Sequence, residues 1–141
     1  MVAAEVRIVL DFHDAVNAGQ TDRLRPLLHE DVEVGGTYGG VRGVDWVRQW
    51  FGHSALTLVP RRVFRRGEFV VVEQDVRRRD VGGEPGEPDE PPEPQLVASV
   101  FRVVDGRIEM IHRYRDLGEA LGTVDVTEDD EVSLVPTGDS A

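Results

Sequence analysis

Cysteine is absent from this chain, and so is lysine, all sixteen basic residues being arginine. The first absence excludes disulfides, thiol nucleophiles and thiolate metal sites. The second excludes Schiff-base chemistry and a lysine general base. No apolar run approaches the roughly 20 residues that a membrane-spanning helix requires. Residues 1–10 carry Glu5 and Arg7 where a signal peptide needs an unbroken apolar stretch. The expectation is a cytoplasmic protein with no membrane partner. What is present has the composition of one globular domain: 141 residues, 40% hydrophobic and 30% charged.

The net charge of −11 argues against whole-molecule attraction to nucleic acid. Its distribution is uneven. Six acids lie in 80–95 (Asp80, Glu84, Glu87, Asp89, Glu90, Glu93) and six more in 122–141 (Asp125, Glu128, Asp129, Asp130, Glu131, Asp139). The remainder holds 15 acids against 16 arginines and is nearly neutral. Arg61, Arg62, Arg65, Arg66, Arg77, Arg78 and Arg79 form a basic ribbon. Stacking aromatics are not interleaved among them, so nucleic acid is not the expected partner. The acidic 81–95 segment is expected to fold back as their counter-charge.

In 2–18, Val6, Val9, Leu10 and Val16 recur at helical spacing and predict an amphipathic helix stopped by Gly19. Thr21 or Asp22 is expected to cap a short second helix with Leu24, Leu27 and Leu28 inward and Pro26 in its first turns. A strand over 31–34 runs into a glycine-rich loop at 35–43, and a third helix spans 44–53. The period then drops to two. Residues 56–64, 69–79, 96–104 and 107–114 read as strands, with turns at Gly67 and at Asp105 and Gly106. Between the second and third of these strands, 81–95 carries five prolines and cannot be a strand. Three helices followed by antiparallel strands predict an α+β fold: a cone-like curved sheet covered on one face by the N-terminal helices. The concave side would be an apolar pocket, and the open outer face would pair with a second copy in a homodimer.

The runs VLDFHDAVNAGQTDRL (9–24), LLHEDVEV (27–34), GVRGVDWV (40–47), DGRI (105–108) and YRDLGEAL (114–121) carry a resemblance. They resemble nuclear transport factor 2-like domains, especially the SnoaL-like and ketosteroid-isomerase-like branches, across 1–121, apart from the Pro/Glu-rich loop at 81–95. The resemblance implies a cystatin-like roll with a pocket for a small hydrophobic molecule. The acidic C-terminal tail at 122–141 has too low an apolar density for a packed element and is expected to lack order, unless Val132, Leu134 and Val135 dock as a short strand. Members include isomerases, cyclases, hydrolases and purely binding or dimerising modules, so it does not by itself imply a reaction. The isomerase's first-helix tyrosine is matched here by Phe12, its catalytic aspartate falls near Gly36, and its protonated acid near Ser99. None of the three groups is kept. The epoxide hydrolase branch is matched around Glu73, Gln74 and Asp75 and around Tyr114, Arg115 and Asp116. There, however, Arg113 replaces the final aspartate unless the strand slips by one residue, which would turn every side chain to the opposite face.

Candidate site residues follow from strand alternation. Gln74 shares a face with Val70, Val72 and Val76, and Ser99 shares one with Val97, Phe101 and Val103. The last strand is ambiguous. Likeness to the family turns Ile111, Arg113 and Arg115 inward, whereas hydrophobicity selects Ile108, Met110, His112 and Tyr114. An inward Arg113 needs an anionic ligand or an ion pair with Glu109, Glu73 or Asp75. His13 continues the apolar stripe of the first helix. It is the candidate general acid or base, being the one group there that titrates near neutrality. Tyr38, Trp46 and Trp50 are candidates for an aromatic mouth. The four histidines have no ligand-like spacing, so neither metal nor cofactor is expected. Two functions remain: a ligand-binding domain, as an isomerase, cyclase or hydrolase acting on a cyclic hydrophobic metabolite, or a non-catalytic dimerisation module with a side-chain-filled interior.

Overall fold

The computed structural model describes residues 3–35, 41–54, 56–78 and 95–132; the side chains of 41, 50–54, 56, 78 and 95 lie outside that description. Helix α1 (Ala4–Asn17) places Val6, Val9, Phe12, His13, Ala15 and Val16 in the interior. Gly19 ends it at φ 70°, with Gln20 N–H donating to Ala15 and Gly19 N–H to Val16, the Schellman pattern that a left-handed glycine permits. The next segment, Thr21–Leu27, is a 3-10 helix with no side-chain cap from Thr21 or Asp22, and Pro26 stands near its end rather than in its first turns. Only Leu24 of this segment is buried there, because Leu28 already begins β1 (Leu28–Gly35). After β2 (Val41–Arg42), helix α2 (Val44–Ser54) matches the expected third helix.

Strands β3 (Leu56–Arg66), β4 (Phe69–Arg78), β5 (Gln95–Val104) and β6 (Arg107–Tyr114) form the long meander. Asp105 and Gly106, at φ 53° and 79°, make a two-residue turn whose double positive φ suits a twisted hairpin. With β7 (Glu131–Val132) the sheet is ordered β2-β1-β6-β5-β4-β3-β7. All neighbours are antiparallel except β1 and β6. The fold is the expected α+β arrangement of a curved, unclosed sheet with helices. Helix α1 lies on β3 and β4, and α2 against the 3-10 helix and β1.

Register resolves the last strand. Ser99 pairs with Arg113 and Phe101 with Ile111, so both β6 residues face inward. A bulge then sets Ile108 opposite Val103, returning it to the same face. Met110, His112 and Tyr114 point outward. A second bulge follows Pro60 in β3, where proline supplies no ladder donor.

Two expectations need correction. The stretch after Leu121 is packed through its first half. Helix α3 (Leu117–Thr123) is capped by Asp116, which accepts from Glu119 N–H at 2.8 Å, and Val126, only 3% exposed, enters an outer core with Phe64, Val71, Ala98, Val100 and Ala120. Arg62 lies over the Phe64 ring at 5.0 Å and grips Glu131 through two bonds of 3.0 and 3.1 Å, which fixes β7 against β3. The outer face is therefore not open along its whole length. Its uncovered part includes one row across three strands, Val59, Asp75 and Leu96, with the two apolar members 40% and 52% exposed. The Pro/Glu-rich loop lies outside the described residues apart from Gln95.

Asn17, at the end of α1, acts as a short piece of strand: its amide donates to the Leu58 carbonyl at 2.8 Å and its oxygen accepts from Leu58 N–H at 2.7 Å. Asn17→Ala is expected to cost about 2 kcal/mol, roughly 1 per bond, in urea unfolding. A loss near zero would show that the clamp contributes nothing.

Candidate functional site

The inner face of the sheet is apolar except for one row of polar side chains. His13 Nδ1 donates to the Val9 carbonyl at 2.8 Å, Gln74 Nε2 meets His13 Nε2 at 2.7 Å, and Ser99 Oγ donates to Gln74 Oε1 at 2.9 Å. The chain has one consistent direction. A carbonyl only accepts, so Nδ1 carries the ring proton; neutral Nε2 then accepts from the Gln74 amide, and the Gln74 oxygen takes the Ser99 proton. His13, Gln74 and Ser99 are 1%, 1% and 3% exposed. Burial pushes the His13 pKa from its usual 6.5 down to about 4, against a smaller upward pull from the Val9 carbonyl and from Asp14. At neutral pH the imidazole is uncharged, and in this arrangement it has no nitrogen left to offer a ligand.

Phe12 and Phe101 are buried around the imidazole. Phe12 meets His13 edge to face at 5.7 Å and Phe101 likewise at 5.6 Å, and His13 and Phe101 lie tilted to each other at 5.6 Å. The deep end of the concave side is thus filled by these rings. Burial relaxes toward the C-terminal ends of β4 and β6. On β1, β4, β5 and β6 the inner residues pass from closed Val32, Val72, Phe101 and Ile108 to half-buried Val34, Val76, Val97 and Arg113. This is the more exposed end of the inner face, its mouth.

Arg113 stands in the mouth directly across from Ser99. Burial alone lowers its affinity for its proton. The ion pairs expected from the sequence are not made. Glu109 pairs with Arg102 at 3.2 Å, Asp75 with Arg61 at 3.4 Å, and Glu73 sits on the outer face in register with Arg62. Among the described residues no carboxylate lies within ion-pair distance of Arg113. Asp75 outside and Asp116 at the α3 cap leave no converging Asp-Arg-Asp set with it.

Of the other candidates, Trp46 is 64% exposed on α2 and covers neither core nor mouth. Tyr38 and the Trp50 side chain lie outside the described residues. Alternation found Gln74, Ser99 and Phe101, but not the link between them. Its signal was faint: three inward polar groups with no other partner, and Val9 four residues before His13. Four arginines of the basic ribbon have partners among the described residues, Arg61 in Asp75, Arg62 in Glu131 and Glu128, Arg65 in Glu5, and Arg66 in the Asp125 carbonyl, while the acidic segment expected to meet them lies outside those residues apart from Gln95. A separate concavity of about 300 Å³ lies at the opposite end of β6, lined by Arg25, Pro26, Leu28, Glu30, Val44 and Arg107. It contains none of the candidate site residues. No cluster of metal-ligating side chains occurs among the described residues, and no helix there is long and apolar enough to cross a membrane.

A curved sheet with helices packed on it is the fold of nuclear transport factor 2-like and cystatin-fold structures. Residues 9–111 match the SnoaL-like domain, and the chain belongs to that family. No curated protein sequence matches it significantly. Among solved structures, an NTF2-like protein of unknown function from Cytophaga hutchinsonii superposes with a TM-score of 0.67 at 18% identity, covering 82% of this chain and 92% of that one. An uncharacterised cystatin-fold protein from Novosphingobium aromaticivorans gives 0.67 at 16%, covering 81% and 100%. An LEH-like epoxide hydrolase from M. tuberculosis gives 0.65 at 18%, covering 84% and 87%. At these identities the likeness is one of fold.

The low His13 pKa has a measurable sign. The unfolded chain takes up a proton near pH 6.5 and the folded one only near 4, so this contribution is full above 6.5 and is lost as pH falls toward 4. Comparing urea unfolding at pH 7.5 and 4.5, the wild type is expected to lose about 3 kcal/mol more than His13→Gln. Equal losses would mean that the imidazole is not held neutral.

Proposed function

We propose that this SnoaL-like domain binds one small apolar molecule at the mouth formed by Val34, Val76, Val97 and Arg113. Ser99 and Arg113 meet the polar atoms of the molecule, and Phe12 and Phe101 form the floor beneath it. His13 and Gln74 act behind Ser99 as positioning residues, holding its hydroxyl in one orientation. Tyr38 and Trp50 are expected at the rim on sequence grounds. The observation that carries this reading is the graded exposure of the inner face, apolar on four adjacent strands and interrupted there by a single row of polar groups. Binding sites have this composition, with few polar groups on apolar walls.

A second reading has its own support. Phe12, His13 and Phe101 fill the deep end, and Val59 and Leu96 are exposed together on the outer face. These favour a non-catalytic module that pairs with a second copy through that row.

Native mass spectrometry of the full chain reports subunit number and retained small molecules in one spectrum. A monomer or dimer carrying a small-molecule adduct is expected, and Val97→Trp, which narrows the mouth at a half-buried position, is expected to lose it without unfolding. A dimer with no adduct, which also binds none of a screened set of apolar small molecules, favours the second reading.

A further inference from the structure

Arg113 is the anomaly of the inner face. A guanidinium carries five N–H donors and keeps its charge in proteins. Held half out of water with no ion-pair partner among the described residues, it weakens the fold, and an unpaired buried cation is among the costlier features a protein can keep. Among the described carboxylates, Glu73 is on the outer face and several others are engaged elsewhere. Glu109 is held by Arg102, Asp75 by Arg61, Glu33 by Arg42 and His112, and Asp116 and Glu119 by the backbone at the start of α3.

The neighbour across the strand adds a second requirement. The Ser99 proton is committed to Gln74, because Gln74 has committed its amide hydrogen to His13 and His13 its own to Val9. Toward the mouth, Ser99 can therefore only accept. A ligand that satisfies both residues brings a negative charge to Arg113 and a hydrogen-bond donor to Ser99. On adjacent antiparallel strands, paired residues stand about 5 Å apart at Cβ, so the two groups belong on neighbouring atoms of one molecule.

We propose that the mouth takes an apolar hydroxy acid, its carboxylate on Arg113 and its adjacent hydroxyl donating to Ser99. This rests on the binding reading above and specifies its substrate class. The two are separable with three probes of one shape: 3-phenyllactate, 3-phenylpropanoate, which lacks the hydroxyl, and 3-phenyllactamide, which lacks the charge. Affinities are read from ¹⁵N–¹H chemical-shift titration of the full chain at neutral pH, following the Arg113 Nε–H signal.

The expected order is phenyllactate, then phenylpropanoate, then the amide, with about tenfold between the first and last, as a charge-assisted bond implies. Arg113→Met is expected to remove the preference for carboxylate over amide while staying at least as stable as the wild type, since it removes an unpaired charge. Arg113→Lys is expected to retain the preference in reduced form. If acid and amide bind alike, or if Arg113→Met keeps the preference, the hydroxy-acid proposal is overturned and the binding reading stands. If the acid preference holds but the hydroxyl adds nothing, the Ser99 half of the proposal fails. If no probe binds at millimolar concentration, or if binding is indifferent to Val97→Trp, both fall.

Discussion

Three hydrogen bonds in line, from the Val9 carbonyl through His13 and Gln74 to Ser99, join α1 to the middle of the sheet, and each sets the direction of the next. They are the polar thread through an otherwise apolar interior. Buried polar groups persist only when their partners are supplied, so the helix cannot rotate or slide on the sheet without stranding an imidazole, an amide or a hydroxyl. The ring contacts of Phe12, His13 and Phe101 reinforce the same seat. At the far end of α1, the paired bonds between Asn17 and Leu58 fix the helix to β3. Position along the sheet and rotation about the helix axis are thereby both determined. The orientation of Ser99 at the mouth is a remote consequence.

Charge is organised by the same economy on the outside. The chain's acidity has two locations, and the C-terminal one has a structural use. Glu128 and Glu131 meet Arg62, the Asp125 carbonyl meets Arg66, and Val126 is drawn over the outer core. Arginine suits these contacts because its planar fork can grip a carboxylate with two bonds while its face rests on an aromatic ring, as Arg62 does over Phe64. The basic ribbon of β3 is thus matched by carboxylates from α1, β4 and the C-terminal segment. Against this background of paired arginines, Arg113, inward and without an ion-pair partner among the described residues, stands out.

Much of the fold was legible in the residues because it rests on local physics. Helical spacing of Val6, Val9 and Val16, the stop at Gly19, the change of period after α2 and the turn at Asp105 and Gly106 each depend on a few neighbours in sequence. The elements that spacing does not reveal depend on distant partners. Val126 has too few apolar neighbours in sequence to announce a packed segment, and only Phe64 and Val71, brought from β3 and β4, give it a place. The 3-10 geometry of Thr21–Leu27 likewise follows from how little chain connects α1 to β1.

The sequence by itself determined the class of fold, the inward alternation of Gln74, Ser99 and Phe101, and the absence of the family's isomerase groups, since composition and period are properties of the chain. Only the tertiary structure decided which way β6 faces, because a strand of alternating Ile, Met, His, Arg and Tyr is plausible on either face until a bulge and a neighbour fix its register. It also decided that His13 is bonded at both nitrogens and that Arg113 has no ion-pair partner among the described residues. A hydrogen bond depends on distances of a few ångströms between residues sixty positions apart, which spacing along the chain does not encode.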